Sequence, residues 1–568
     1  MPYVQHHPPF YLCLAIAILS ACAPGARDQT SATSVGQSPT IGPKRLTAAI
    51  MSDLPVLYTK VNTTAGTAGL DAMADMVGAG LVGVDNEVNL LPVLADAVPT
   101  IENGRWKILP NGGMETSWTI REGAQWHDGT PFTPDDLMFT ILVSRDRDLP
   151  SFRDSKYQYL DRIEAVDRRT ARAIWREPFA FADELFSALL ALPIPRHLLE
   201  QPYLDEKEVF TQLPYWTTEY VGMGPFKVRE FVRGSHMLLD ANDRFPLGRP
   251  KIDVLEIRFI EDPRSVVANL LAGEVQLTIG RSLSLDEAIP MRDQWRDGRI
   301  EVGFARWMRI GSQFVNPNPA ALLNVGFRRA LVHAIDRQQM VDALQYGLST
   351  VAHTPLPPTR PEWREIDAQV RRYDYDPRLA ARMIEDLGFT RGADGAFRDG
   401  PGARLTVELR STASPTLSKA QLSVANDWQQ AGVGVDVVQI PPQLVRDREY
   451  RAKRPGFQMA GTTLDPNEMT ALHTSNIPRA ENSYIGTNDP AYSSPEYDRL
   501  VDRYLVTIPE RERNVVLADM ARHVAENVPI FTLFYDVEPT MIANGLQNVG
   551  PRRQPGTQAW NIYAWELR

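Results

Sequence analysis

Residues 117–140 read SWTIREGAQWHDGTPFTPDDLMFT, and this string leaves few ways to fold. Trp118 and Ile120 alternate with Thr119 and Arg121, the two-residue period of a half-buried strand. Asp128–Gly129 supplies a tight turn, because glycine takes positive φ at no steric cost. Thr133 is placed to cap a helix that starts at Pro134, where a missing N–H costs nothing. Asp135 and Asp136 then fall in the first turn and face the positive end of the helix dipole. Turn and cap chemistry accounts for the acids and for the spacing of His127, so the segment reads as structural rather than catalytic.

The N-terminus carries a second constraint. Phe10–Ala21 is an apolar run too short to span a bilayer. It leads into Leu19-Ser20-Ala21-Cys22, which is similar to a bacterial lipobox, where the cysteine is diacylated and the signal is cut just before it. The likeness implies a signal peptide over 1–21 and a lipid on Cys22. Residues 22–44 are rich in Gly, Ser, Thr and Pro and read as a flexible tether. The segment before the apolar run has His6 and His7 but no Lys or Arg. A plain secretory signal with an incidental Cys22 is the alternative.

The remaining chain of a 568-residue protein is too long for one simple core and should divide into lobes. Net charge is −10 with no basic block, which excludes nucleic acid as a partner. The only cysteines are Cys13 and Cys22, so the body is expected to have no disulfide and no thiolate metal site. No later run is apolar enough for a membrane span. A water-soluble body held at a membrane by two acyl chains fits these features.

Several blocks carry a family likeness. They are Leu91-Pro92-Val93-Leu94-Ala95-Asp96, the 117–140 string, and the glycine loop within 220–239, VGMGPFKVREFVRGSHMLL. A strand–helix–Gly–strand unit follows at 251–279, then NVGFRRALVHAIDRQQM at 324–340 with an apolar stripe of Phe327, Ala330, Leu331 and Ala334. Later helices open at Asp376-Pro377 and Ser494-Pro495, and Gly388 stands where a left-handed cap is wanted. The glycine pair 222/224 lacks the Lys-Ser or Lys-Thr of a phosphate loop. In this order the blocks resemble the bacterial extracellular solute-binding proteins, family 5, over roughly residues 45–568.

The resemblance implies an α/β, type II periplasmic binding protein fold: two lobes with mixed sheets joined by a hinge, with an extra subdomain in the first lobe. The expected division is 45–308 for lobe I, with the subdomain inserted at about 83–200, then 309–534 for lobe II and 535–568 returning to lobe I. Crossings are expected near 307–313 and 534–538. The implied function is that of a receptor for an ABC importer. It captures short peptides or peptide-like solutes between closing lobes and delivers them to permease and ATPase subunits. It is expected to be a monomer without cofactor or metal, on the periplasmic or outer face of a membrane.

The likeness places the ligand-lining strand at 457–466, FQMAGTTLDP, with Met459, Gly461, Thr462, Thr463 and Asp465 at the ligand. The family's aromatic and one of its acids are missing there. Asp465 is either the anchor of a ligand amine or the turn residue of an Asp-Pro step. Trp307, Trp428 and Tyr484 are the aromatic candidates at lobe edges, with Trp216 beside them. His353 and His473 are open to a metal role but show no paired spacing. Same-fold receptors for an opine, sugar or nickel chelate remain alternatives, as does a sensory binding lipoprotein. A hydrolase would need a nucleophile or metal, and the chain has no G-x-S-x-G, H-E-x-x-H or catalytic cysteine.

Overall fold

A computed structural model of the chain describes residues 42–61, 67–87, 89–190, 192–552 and 556–568. Cys22, the 1–21 segment and nearly all of the 22–44 tether lie outside them. A ten-stranded mixed sheet runs through the described residues. Its order is Gly434–Ile440, Thr406–Thr412, Phe457–Thr463, Gly298–Ser312, Ile530–Ala543, Leu277–Thr278, Arg45–Ile50, Val254–Phe259, His236–Ala241 and Phe226–Val232.

Both flanks contain parallel pairs made by helical crossovers. The helix Pro263–Leu271 joins Val254–Phe259 to Leu277–Thr278, and Pro415–Gln430 joins Thr406–Thr412 to Gly434–Ile440. The sheet is held in the middle by its two longest strands, Gly298–Ser312 and Ile530–Ala543. They pair antiparallel from Gly298↔Ala543 to Gly311↔Ile530. The register shifts between Phe304 and Arg306 and again between Trp307 and Arg309. Bulges of this kind bend a strand and re-aim its side chains.

A separate four-stranded antiparallel sheet, Trp106–Ile108, Met114–Thr119, Thr170–Trp175 and Leu160–Ala165, carries the 117–140 string. Trp118 is fully buried, and Gly129 sits at φ 93° in the turn. Thr133 caps the helix Pro134–Ser144 in a reciprocal box with Asp136. The Asp136 carboxylate also accepts the Arg196 backbone N–H at 3.0 Å, so its capacity is spent on structure. His127 binds the glycine loop from both ring nitrogens, Nε2 to the Gly224 carbonyl at 3.0 Å and Nδ1 to the Gly222 N–H at 3.3 Å. Burial pushes its pKa down to about 4, so the imidazole stays neutral. The loop in turn abuts the end of helix Leu70–Val77. A Cβ on Gly222 would lie 1.9 Å from the Val77 carbonyl oxygen, and one on Gly224 would lie 2.5 Å from the Val77 carbonyl carbon. Only glycine fits these two positions.

The apolar core forms several clusters. One underlies Arg45–Ile50 and its neighbours and includes Trp216. Another fills the far flank around Phe327, Trp428, Phe457 and Phe531. A third spans the four-stranded sheet, Trp307, Leu464 and the helices Pro495–Val506 and Glu510–Asn527. Trp216 is therefore a core residue, and its indole N–H donates to the Phe210 carbonyl.

Candidate functional site

Strand alternation decides what Phe457–Thr463 and Gly298–Ser312 present on each face. Met308, Ile310, Phe457 and Met459 point into the far-flank core. Arg309, Gly311, Gln458, Ala460 and Thr462 occupy the opposite face, together with Trp307. That face looks toward the four-stranded sheet, since Trp307 shares a cluster with Trp118 and Trp126. The Arg309 Nε donates to Thr462 Oγ1 at 2.7 Å, and its Nη2 donates to Asp489 Oδ1 at 2.9 Å. Arg454 reaches the other Asp489 oxygen at 3.2 Å.

Opposite stands a group from the N-terminal half. Lys156 and Glu184 come from two 3₁₀ turns beside the four-stranded sheet, Ser155–Gln158 and Ala182–Glu184. Lys156 lies within electrostatic range of Glu184, Asp465 and Glu468. Burial opposes its charge, but these carboxyls and Asp154 outweigh it and raise the ammonium pKa. Burial pushes Glu184 up to about 8 and Glu468 up to about 7. Asp489 behaves oppositely. Burial alone would raise it, yet Arg309 and Arg454 prevail and hold it at about 2.

Buried polar atoms without a hydrogen-bond partner gather here. They include Trp307 Nε1, Arg309 Nη1, Arg454 Nε and Nη1, Glu184 Oε2 and Asn467 Oδ1. Native folds pair most such groups, so these atoms have hydrogen-bonding capacity that the described residues do not fill. The halves also meet on both sides of this space. The Ala180 N–H donates to the Leu505 carbonyl at 2.7 Å, and Phe181 packs on Tyr504. Across the sheet, Asp286 accepts from the Tyr346 hydroxyl at 2.8 Å and from Lys419.

The expected site residues distribute unevenly over this geometry. Thr462 and Trp307 lie on the face that carries Arg309, and Asp465 sits close to Lys156 and Glu184. Asp465 also caps the 3₁₀ turn Pro466–Leu472 by accepting the Asn467 N–H at 2.9 Å, so its turn role is present. Met459 corrects the expectation, because it is 1% exposed and faces the core. Gly461 and Thr463 share its phase, and a Cβ on Gly461 would lie 2.6 Å from the Arg306 side chain. Trp428 is likewise a core residue, with its N–H on the Leu331 carbonyl at 3.0 Å. Tyr484 lies at the surface, bonded to Glu449 at 3.2 Å. His353 faces Arg337 and Arg372, and burial and these cations lower its pKa to about 3. His473 lies 3.5 Å from Asp502 and 3.8 Å from Asp498.

A model of the bacterial extracellular solute-binding proteins, family 5 Middle, matches residues 104–479. The chain belongs to the bacterial extracellular solute-binding proteins, family 5. Among family relatives, it is 23% identical over 566 residues to the oligopeptide-binding protein AppA of Bacillus subtilis, covering 98% of this chain and 97% of that one. The fold matches the oligopeptide binding protein from Thermus thermophilus complexed with pentapeptide. That likeness has a TM-score of 0.75 and 22% identity, over 93% of this chain and 97% of the other. It also matches NikZ from Campylobacter jejuni in complex with Ni(L-His), with a TM-score of 0.73 and 22% identity over 92% and 99% of the two chains.

The titrations in this family-5 chain give a pH expectation. Glu184, Glu468 and Asp75 have folded pKa values of about 8, 7 and 7, raised above their ordinary ranges chiefly by burial. Such groups stabilise the fold fully below about pH 4, and that stability drains away as pH rises through the folded values. His127 and His353 act in the other direction, losing stability only as pH falls below their usual value near 6.5. Between about pH 6.5 and 8.5 these carboxyls outweigh the two histidines, which are already largely neutral in both states. Denaturant unfolding should therefore show stability falling by on the order of 1 kcal/mol over that window. Glu184→Gln should flatten the fall, and a wild-type curve that rises over it would contradict the assignment.

Proposed function

We propose that the protein is an extracytoplasmic receptor of an ABC importer that captures short peptides or peptide-like solutes between two lobes. The observation that supports this most is the meeting of charged side chains from both halves, Lys156 and Glu184 against Arg309, Arg454 and Asp465, with Glu184 Oε2, Arg309 Nη1 and Arg454 Nε and Nη1 left without a hydrogen-bond partner. Relatives named for oligopeptide binding support the solute class. In this reading the lobes divide near the register shifts at 304–309 and their partners at 532–538. Opening would part the contacts of Ala180 with Leu505 and of Asp286 with Lys419. Closure is then offset by contacts a solute makes to both lobes at once.

The lipobox-like Cys22 supports a lipid anchor on the outer face of a membrane, with delivery to permease and ATPase subunits. Palmitate labelling that is absent from Cys22→Ser tests the anchor.

Asp465 is the proposed partner of a solute α-ammonium. Lys156 already faces Asp465, Glu468 and Glu184, so an incoming ammonium enters a place where the chain holds its own cation. Calorimetry with a pool of di- to pentapeptides, free and N-acetylated, tests this. Free peptides should bind at least roughly tenfold more tightly than acetylated ones, and Asp465→Asn should erase the difference. Equal affinity of the two forms would remove the amine anchor and leave Asp465 its cap role. No binding from either pool would overturn the peptide reading.

A further inference from the structure

We infer that the groove between the 120–135 segment and the hairpin tip at 165–169 is a second small-molecule site, which takes an organic anion with an apolar body. It shares no lining residue with the group around Arg309 and Asp465, so it does not depend on what that group binds.

Local hydrogen bonds build the walls. The hairpin tip joins Leu160–Ala165 to Thr170–Trp175, and across it the Val166 N–H donates to the Thr170 carbonyl at 2.7 Å. The Ile120 N–H fastens the tip by donating to the Arg169 carbonyl at 2.7 Å. The facing wall doubles back at Asp128–Gly129, and the Phe132 N–H closes it on the Ala124 carbonyl at 3.0 Å. Phe132 stands edge-on to Trp126, with 5.8 Å between the ring centres. The groove between the walls measures about 740 Å³. Small-molecule sites run from roughly 300 to 1,000 Å³. Ile120, Ala124, Phe132 and Pro134 line it and are buried, which gives it an apolar floor.

The charges at its mouth are unequally committed. Asp167 accepts the backbone N–H groups of Arg169 and Thr170 at 2.8 and 2.9 Å. Asp135 pairs with Arg196 at 3.0 Å. The helix N-terminus beside Asp135 is closed by the reciprocal box of Thr133 and Asp136, so it is not the anchor. The cations are freer. The exposed Arg168 side chain makes no hydrogen bond or ion pair among the described residues. Arg169 lies 3.8 Å from Glu122 and 3.9 Å from Asp96, beyond hydrogen-bond length, and the Glu122 side chain is 95% exposed. Arg121 spends Nε and Nη2 on the Val93 and Pro92 carbonyls, which cancel none of its charge. An apolar floor thus meets an arginine edge. A carboxylate or sulfonate suits the guanidinium fork, and an apolar body attached to it covers the floor.

Two dyes with one ring system test the site: 8-anilinonaphthalene-1-sulfonate and its uncharged analogue N-phenyl-1-naphthylamine. Fluorescence titration of the full chain near neutral pH and at low salt should show saturable binding of the sulfonate, with the naphthylamine roughly fivefold or more weaker. Ala165→Trp places a large side chain at an exposed position on the groove and should abolish binding of both dyes. The double variant Arg168→Glu, Arg169→Glu should weaken the sulfonate roughly fivefold or more, the scale of two exposed ion pairs, and leave the naphthylamine unchanged. Both arginine side chains reach solvent, so this variant carries the test if Ala165→Trp folds poorly. Absence of saturable sulfonate binding would overturn the site. So would sulfonate binding that survives in folded Ala165→Trp, or that a pool of di- to pentapeptides displaces, since the dye would then sit elsewhere. Equal affinity for the two dyes, or indifference of the sulfonate to the arginine variant, would overturn the anion class.

Discussion

Asp489→Asn is expected to destabilise the protein by about 3–5 kcal/mol, the range for stripping the partner from a buried charge. Asp489 accepts from Arg309 at 2.9 Å and from Arg454 at 3.2 Å, and the Arg454 side chain is fully buried. Asparagine keeps the shape but leaves two guanidiniums facing each other around Gly311 with no counter-charge between them. Guanidinium-chloride unfolding measures the loss. Arg454→Met on top of Asp489→Asn should recover part of it, because the surplus cation is what costs. The pH dependence follows from the depressed carboxyl at about 2. Its contribution is present above the ordinary aspartate value near 4 and is lost as pH falls through about 2. The gap between wild type and Asp489→Asn should thus be full at pH 6 and narrow under strong acid. A gap below about 1 kcal/mol at pH 6 would mean that water already satisfies the arginines.

The caps and turns are legible in the sequence because their causes are local. Thr133, Asp376 and Ser494 cap their helices, and Gly388 takes φ 92° after one of them. Each cause acts within a few residues of its effect. The meaning of Gly222 and Gly224 is not legible there. Their requirement is set by Val77, which is remote in sequence and reaches them only through packing. The same holds for the site. Lys156, Glu184, Arg309, Arg454 and Asp489 lie on five separate segments, and no spacing rule links them. The phase of Phe457–Thr463 is readable, and the expectation for Met459 ran against it. Gln458, Ala460 and Thr462 alternate with the apolar Phe457 and Met459, which places Met459 in the core and Gln458 at the site. Trp428 resembles a lobe-edge aromatic because a sequence does not show which side of a helix the sheet covers. On the helix Pro415–Gln430 it shares its buried face with Leu417, Ala420, Gln421 and Val424.

Trp428→Ala should separate folding from binding most cleanly. The indole is fully buried, 5.1 Å from the Phe457 ring and 6.3 Å from the Phe531 ring, and its N–H is taken by Leu331. Truncation removes that packing, leaves a cavity and strands the Leu331 carbonyl, a combined cost of about 3–5 kcal/mol. Trp428→Phe keeps most of the volume and should cost distinctly less. The helix that carries Trp428 packs behind Thr406–Thr412 and Phe457–Thr463, on the face away from Arg309 and Thr462. The folded fraction of Trp428→Ala should therefore bind peptides as the wild type does. Thr462→Val reverses the pattern: it removes the acceptor of the Arg309 Nε at 2.7 Å and adds no cavity. It should cost about 1–3 kcal/mol for the stranded Nε, less than Trp428→Ala, and weaken peptide binding, because Arg309 loses the bond that aims it. If Trp428→Ala lost solute affinity while keeping its stability, the tryptophan would belong to the site and the assignment of faces on Phe457–Thr463 would be reversed.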